Sequence, residues 1–355
     1  MAALQIETLL KMMVDRNASD LHIPAFSPPQ LRIDEKLVPT EFPPLTPDDA
    51  KKLAYSILKP QQIEKFEREF ELDVSFGIEA LGRFRVNVFL QRGYVGAAIR
   101  LLPFGIMSFA ECGLPVNIVE ELCKKPKGLV LITGATGSGK STTLASMVDK
   151  INSERNCHIV IIEDPIEYIH KNKKALVDQR EVESDTHSFA QALKHALRQD
   201  PNVILIGEMR DLETIEAALT IAETGHLVLS TLHTSDAVQT VNRIVDVFPS
   251  HQQQQVKIQL SFVLLAVLSQ QLIPKASGRG RVLATEVMMA NSAVRSLIRD
   301  SKTHQMQSII QTCQKEGMKT MNQSLFELYQ QKLITYEDAI SRSTDPEDLE
   351  RLFKK

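Results

Sequence analysis

Several features that would place a protein outside the cell, in a membrane or on nucleic acid are scarce in this 355-residue chain. It has four cysteines, Cys112, Cys123, Cys157 and Cys313, with no C-x-x-C pair and no histidine at zinc spacing. That pattern fits reduced thiols in a cytosolic protein and excludes a disulfide-stapled module or a structural zinc site. Charge of one sign is also missing, since 41 Lys+Arg against 44 Asp+Glu leave a formal balance of -3. No strong basic field exists to grip a phosphodiester backbone, which argues against a nucleic-acid partner and against a DNA translocase. The longest apolar run, Phe262 to Leu268, falls far short of the ~20 residues of a membrane span. The N-terminus carries Glu7, Lys11, Asp15 and Arg16, so it reads as an amphipathic helix and lacks the apolar core of a signal peptide. Direct membrane insertion is not expected, and any membrane role runs through a partner.

What is present is a 43% hydrophobic composition, ample for a core in each of the two domains that the length suggests at roughly 150 residues per domain. Residues 1–105 alternate short strand-like segments with a Pro-rich stretch and two helical patterns, Asp48 to Leu58 and Gln61 to Phe70. Three strand-like runs follow, Glu71 to Ile78, Gly82 to Gln91 and Tyr94 to Leu102, separated by Gly-containing turns. This reads as a small α+β domain. Period two in Gly82 to Gln91 puts Arg83, Arg85 and Asn87 on one face and Phe84, Val86 and Val88 on the other. The stretch 106–115 carries Gly and Pro without periodicity and is read as a linker. From residue 116 onward, apolar runs at Leu129 to Thr133, His158 to Ile162, Val203 to Ile206 and Leu227 to Ser230 alternate with helical patterns. The fold class is therefore α/β, a parallel sheet wrapped by helices, with a mainly helical region at about 285–355.

Gly134-Ala135-Thr136-Gly137-Ser138-Gly139-Lys140-Ser141 satisfies G-x-x-x-x-G-K-[ST] between a buried strand and a helix, the context that this phosphate loop requires. The glycines let successive backbone N–H groups turn toward phosphate oxygens, and the following helix directs its positive end at the same place. Lys140 is expected to reach the β- and γ-phosphates of ATP, Thr142 to complete the nucleotide-binding segment, and Ser141 to ligate Mg²⁺. Glu163 and Glu208 follow apolar runs, so they stand at the carboxyl ends of parallel strands, where ligands bind in such sheets. Glu208 takes the position of the acid that holds Mg²⁺, and Glu163 that of the base that polarises the attacking water. In His226 to His233, seven residues at ~3.3 Å each separate the two histidines by roughly 23 Å. Only His233 can then lie near the γ-phosphate.

GATGSGKSTT (134–143), IEDPIEY (162–168), VILIGEMRD (203–211) and HLVLSTLHT (226–234) resemble the Walker A, Asp-box, Walker B and His-box series of bacterial secretion and type IV pilus motor ATPases. The resemblance covers nearly the whole chain. It implies a PAS-like N-terminal domain followed by a RecA-like P-loop core. Ala293-Val-Arg-Ser-Leu-Ile-Arg-Asp300 is similar to the A-I-R-N-L-I-R-E segment of the twitching-motility retraction ATPases, the PilT family, departing at Val294, Ser296 and Asp300. The lack of a four-cysteine zinc loop and of a long extra N-terminal domain points, within the superfamily, to retraction and not extrusion. The resemblance further implies a cytoplasmic homohexamer that hydrolyses ATP with Mg²⁺ and powers pilus retraction and twitching motility. It implies association with the inner membrane through the platform protein of the pilus machine. Arginines of the N-terminal domain, one or more of Arg83, Arg85, Arg92 and Arg100, would neutralise phosphate of a nucleotide lying between the domains. An accessory retraction paralogue and a regulatory nucleotide-binding module with little turnover are the competing readings. Arg295 and Arg299, one turn apart, are assigned to force transmission or partner docking.

Overall fold

The structure, a computed structural model, describes residues 4–33, 36–78, 81–102 and 105–354. It separates into two compact units, one holding the residues up to Gly105 together with Pro165–Tyr168 and the other holding the rest.

In the first unit the elements are α1 (Ile6–Asp15), β1 (Asp20–Ile23), β2 (Gln30–Ile33), β3 (Lys36–Pro39), α2 (Pro47–Tyr55), α3 (Pro60–Glu69), β4 (Glu71–Ile78), β5 (Gly82–Gln91) and β6 (Tyr94–Leu101). The six strands form one antiparallel sheet in the order β3-β2-β1-β6-β5-β4. Alternation along β5 sends Phe84, Val86 and Val88 into a core shared with Leu9, Leu10 and Met13 of α1 and Ala50 and Leu53 of α2. The same alternation leaves a polar face. Register aligns Arg32, Asp20, Arg100 and Arg85 across four strands, and Asp20 pairs with Arg100 at 2.8 Å and Arg32 at 3.8 Å.

The second unit begins with α4 (Phe109–Cys112), α5 (Val116–Cys123), β7 (Gly128–Thr133), α6 (Lys140–Glu154), β8 (His158–Glu163), β9 (Leu176–Glu181), α7 (Phe189–Ala196) and β10 (Val203–Ile206). It continues through α8 (Leu212–Glu223), β11 (Leu227–Leu232), α9 (Ala237–Asp246), α10 (Ser250–Val263), β12 (Leu264–Pro274) and β13 (Arg281–Met289). Five helices close the chain: α11 (Ser292–Arg299), α12 (Met306–Thr312), α13 (Met321–Gln330), α14 (Tyr336–Arg342) and α15 (Pro346–Phe353). The seven-stranded sheet runs β13-β12-β7-β11-β10-β8-β9, parallel except for β13, which pairs antiparallel with β12. One face packs on α7 to α10, the other on α5 and α6. The central strands β7, β10 and β11 are buried along their whole length, as strands covered on both faces must be. The last three helices gather a small core around Leu325, Leu328, Ala339 and Leu349, which they share with Ile273 of β12 and Ala284 of β13.

One expectation is corrected. The stretch 106–115 is not a plain linker. Ser108 and Glu111 form a capping box and Gly113 ends the turn at φ 75°, so a short helix forms and delivers Phe109 and Leu114 to the core of the second unit. The apolar run Phe262 to Leu268 is divided between α10 and β12. A continuous apolar run carries no period to separate helix from strand, and pairing with β7 makes the choice from Leu264 onward. The sequence reading had neither β9, β12 nor β13, so it lacked three of the sheet's strands.

Candidate nucleotide site

The phosphate loop is built around glycines that no other residue could replace without strain. Gly134, Gly137 and Gly139 have φ of 139°, 78° and 91°, a region that side chains with a Cβ rarely occupy. A Cβ on Gly134 would lie 2.4 Å from the Gln270 carbonyl oxygen and 2.6 Å from Ser138 Oγ. On Gly137 it would meet nothing within 4 Å, so there the demand is conformational. Ser138 is 5% exposed, and its Oγ is buried without a hydrogen-bond partner among the described residues, an arrangement suited to donating to an oxyanion seated in the loop. Lys140 begins α6, and its ammonium donates to the Gly134 and Ala135 carbonyl oxygens at 2.9 and 3.0 Å. Ala135, Thr136 and Gly137 are exposed, while Gly139, Ser141 and Thr142 are half-buried.

The acids stand where the ends of β8 and β10 are sewn together. Gly207 N–H donates to the Ile162 carbonyl at 2.8 Å, and a Cβ on Gly207 would press within 3.3 Å of the Glu163 Cα. Glu163 therefore ends β8 one strand away from Glu208. Thr231 Oγ donates to the Gly207 carbonyl at 2.6 Å, tying in the end of β11. Glu208 is oriented from both sides, with Oε1 2.6 Å from Arg210 Nε and Oε2 3.5 Å from His233 Nε2. Burial pushes the His233 imidazole below its ordinary value, the Lys140 ammonium adds to this, and Glu208 opposes it. That mutual influence brings Lys140, Glu208 and His233 to one place from three separate strand ends.

Arg210 was not singled out from the sequence. Its position two residues after Glu208 was the available signal, but a loop arginine is ordinary until the loop is folded. His226 lies at the other end of β11, where Nδ1 faces the Ile221 carbonyl at 3.1 Å and Thr224 Oγ at 3.3 Å. In the first unit, Arg83 donates from Nε to the Ile166 carbonyl at 2.9 Å and from Nη2 to Ser75 Oγ at 2.6 Å. Arg85 is exposed on the polar sheet face opposite Arg100. Among the described residues no group of three or more His, Cys, Asp or Glu could hold a metal ion. A phosphate-bound Mg²⁺ needs no such cage, because it takes one or two protein oxygens and completes its shell with phosphate and water. The Ser141 hydroxyl and a Glu208 carboxylate fit that requirement in type.

Comparison with known proteins matches residues 4–279 to the family described as Type II/IV secretion system protein. The chain is 46% identical over 345 residues to the type IV pilus retractation ATPase PilT of Pseudomonas aeruginosa, covering 97% of this chain and all of that protein. It is 40% identical over 351 residues to the type IV pilus ATPase PilU of the same organism, covering 99% and 92% of the two chains. Among solved structures, the pilus retraction motor PilT with bound ADP superposes with a TM-score of 0.93 at 53% identity, covering 98% of this chain and 99% of that one. The loop glycines, the sewn strand ends and these matches lead to one conclusion: the chain belongs to the type II/IV secretion system protein family, in its PilT branch of pilus-retraction ATPases.

Proposed function

We propose that this chain hydrolyses ATP and uses the reaction to drive retraction of a type IV pilus. The observation that carries the reading is the convergence of Lys140, Glu208 and His233 beside a loop whose buried Ser138 hydroxyl has no partner among the described residues. In this reading the backbone amides of 134–141 and the Ser138 hydroxyl bind the phosphates, and Lys140 leaves its loop carbonyls to pair with the β- and γ-phosphate oxygens. Ser141 and Glu208 would hold Mg²⁺, which supplies charge neutralisation between the phosphates when bound. Glu163 accepts a proton from the attacking water as it adds to the γ-phosphorus, and ADP leaves with its bond to that phosphorus broken. His233, held neutral at pH 7, reports through Glu208 whether the γ-phosphate is present. Arg83 and Arg85 supply further positive charge to the phosphates as they develop negative charge.

The motor works as a homohexamer at the cytoplasmic face of the inner membrane, docked on the platform protein of the pilus machine. Phosphate release by the purified chain, read beside Lys140→Ala, tests the enzyme. Abundant release by the variant would refute the site. Complementation of a retraction-deficient strain tests the coupling, and an active enzyme that failed to restore twitching would favour the accessory role.

A further inference from the structure

Glu286 lies on β13 and is 2% exposed, although nothing in the chemistry above uses it. Its Oε1 accepts the Ala237 N–H at 2.9 Å, and Ala237 is the first residue of α9. The Met321 amide, at the first residue of α13, and the Gln307 side chain of α12 lie by the same carboxylate, where both favour its charged form. One buried carboxylate therefore holds the start of α9 and stands beside the start of α13, two helices that belong to different parts of the second unit.

The two helices have different neighbours. On the α13 side, β13 grips the chain rigidly: Val287 and Lys319 exchange backbone hydrogen bonds at 2.8 and 3.0 Å, and Thr285 N–H donates to Ser324 Oγ at 3.0 Å. On the α9 side, Thr234 and Thr240 share a hydroxyl bond at 2.7 Å, and Thr240 Oγ donates to the Asp236 carbonyl at 2.7 Å. That ties the residue after His233 to the first turn of α9, and His233 faces Glu208. Between the helix starts lies a cavity of about 440 Å³ whose lining includes Asp236, Glu286, His304, Gln307, Asp345 and Asp348. The two sides are therefore joined there by directional hydrogen bonds and not by close packing. A buried carboxylate is costly to retain without a task that an apolar side chain could not perform.

We propose that Glu286 is a positioning residue that holds His233 in register with Glu208 and carries changes at the nucleotide site to the helices from α12 to α15. The inference rests on the nucleotide site proposed above. When the partner of Glu208 changes from His233 to a γ-phosphate-bound group, the loop 233–236 and α9 shift together. Glu286 passes that shift to Met321, because β13 and α13 move as one piece.

The test uses the full chain with Glu286→Gln, which keeps volume and one acceptor oxygen, and Glu286→Ala. Amide exchange is followed with and without a non-hydrolysable ATP analogue and Mg²⁺. In the unsubstituted chain the analogue should slow exchange in residues 140–146 and alter it in residues 321–325. In both variants the effect at 140–146 should persist and that at 321–325 should vanish. An undiminished response at 321–325 in the variants overturns the inference alone, as does a lack of response there in the unsubstituted chain. No slowing at 140–146 in the unsubstituted chain overturns the nucleotide site itself, and the inference with it. In turnover, Glu286→Gln should lower kcat roughly tenfold or more with little change in KM, and should cause no further loss in a His233→Ala background. Equal losses in both backgrounds would reduce Glu286 to a stability role and overturn the coupling.

Discussion

Two buried residues of the second unit titrate in opposite senses, and each yields a pH prediction. His170 is 9% exposed, with Nδ1 unpartnered among the described residues, and burial pushes its pKa from 6.5 down to about 4. A depressed histidine is neutral when folded, so its stability contribution is whole above 6.5 and is lost as pH falls toward 4. His170→Phe should flatten the acid limb of a urea-unfolding profile between those values, by up to roughly 3 kcal/mol. A parallel limb in the variant would show that His170 is not its source. Glu286 behaves in reverse, because burial raises its carboxyl from 4.5 to about 7, with Asp236 assisting and the Ala237 and Met321 amides and Gln307 opposing. His304, Asp345 and Asp348 also line the adjoining cavity. A raised acid contributes stability that is whole below 4.5 and is lost as pH climbs through 7, so Glu286→Gln should be flatter across that window in the same measurement. For the proposed catalytic group, Lys140→Ala should abolish turnover while leaving the melting temperature nearly unchanged. It should also raise the His233 pKa measured by NMR, because the ammonium that helps depress it is gone.

At the scale of elements, the arginines of α11 separate into two roles. Arg295 donates to the carbonyls of Ala290, Ser261, Phe262 and Leu264, so it closes the C-terminus of α10 and holds the junction where the helix becomes β12. Helix ends leave carbonyls in need of donors, and an arginine satisfies several at once. It therefore has a structural role whatever it does in docking or force transmission, and Arg295→Ala should lower stability by about 2–4 kcal/mol in chemical denaturation. Among the described residues the Arg299 side chain reaches only Ser261 Oγ, at 3.5 Å, so Arg299→Ala should leave stability within about 0.5 kcal/mol of the parent. That leaves Arg299 as the arginine of the stripe whose loss can be scored cleanly for retraction. Gly134→Ala would force a Cβ against the Gln270 carbonyl at a positive φ, and it should remove nucleotide binding in a fluorescence titration.

At the scale of the whole molecule, the proposed ring makes the arginines of β5 testable by mixing. Arg83→Ala or Arg85→Ala chains combined with Lys140→Ala chains should recover turnover if the arginine serves a neighbouring subunit's nucleotide. No recovery would assign it to its own chain. The native mass with and without ATP should report a hexamer, and a monomer under both conditions would sink the ring. Among the described residues no helix is long and apolar enough to cross a membrane, so the proposed membrane association should disappear from cell fractions when the platform protein is deleted.

The sequence by itself determined the nucleotide loop, because three glycines, a lysine and a serine at fixed spacing answer to local backbone geometry alone. It determined β5, whose period of two is complete from Gly82 to Gln91, and the places of Glu163, Glu208 and His233 at strand ends. Tertiary structure decided what local pattern could not encode. The run through Phe262 and Leu268 became part helix and part strand only because β7 offered a partner for pairing. Arg295 gained its role from carbonyls more than thirty residues earlier. Glu286, an ordinary acid in the sequence, gained its partner because the fold buried it against the first amide of α9. A side chain's reach is set by spacing along the chain only within a turn or a strand, and beyond that its partners are chosen by which elements pack together.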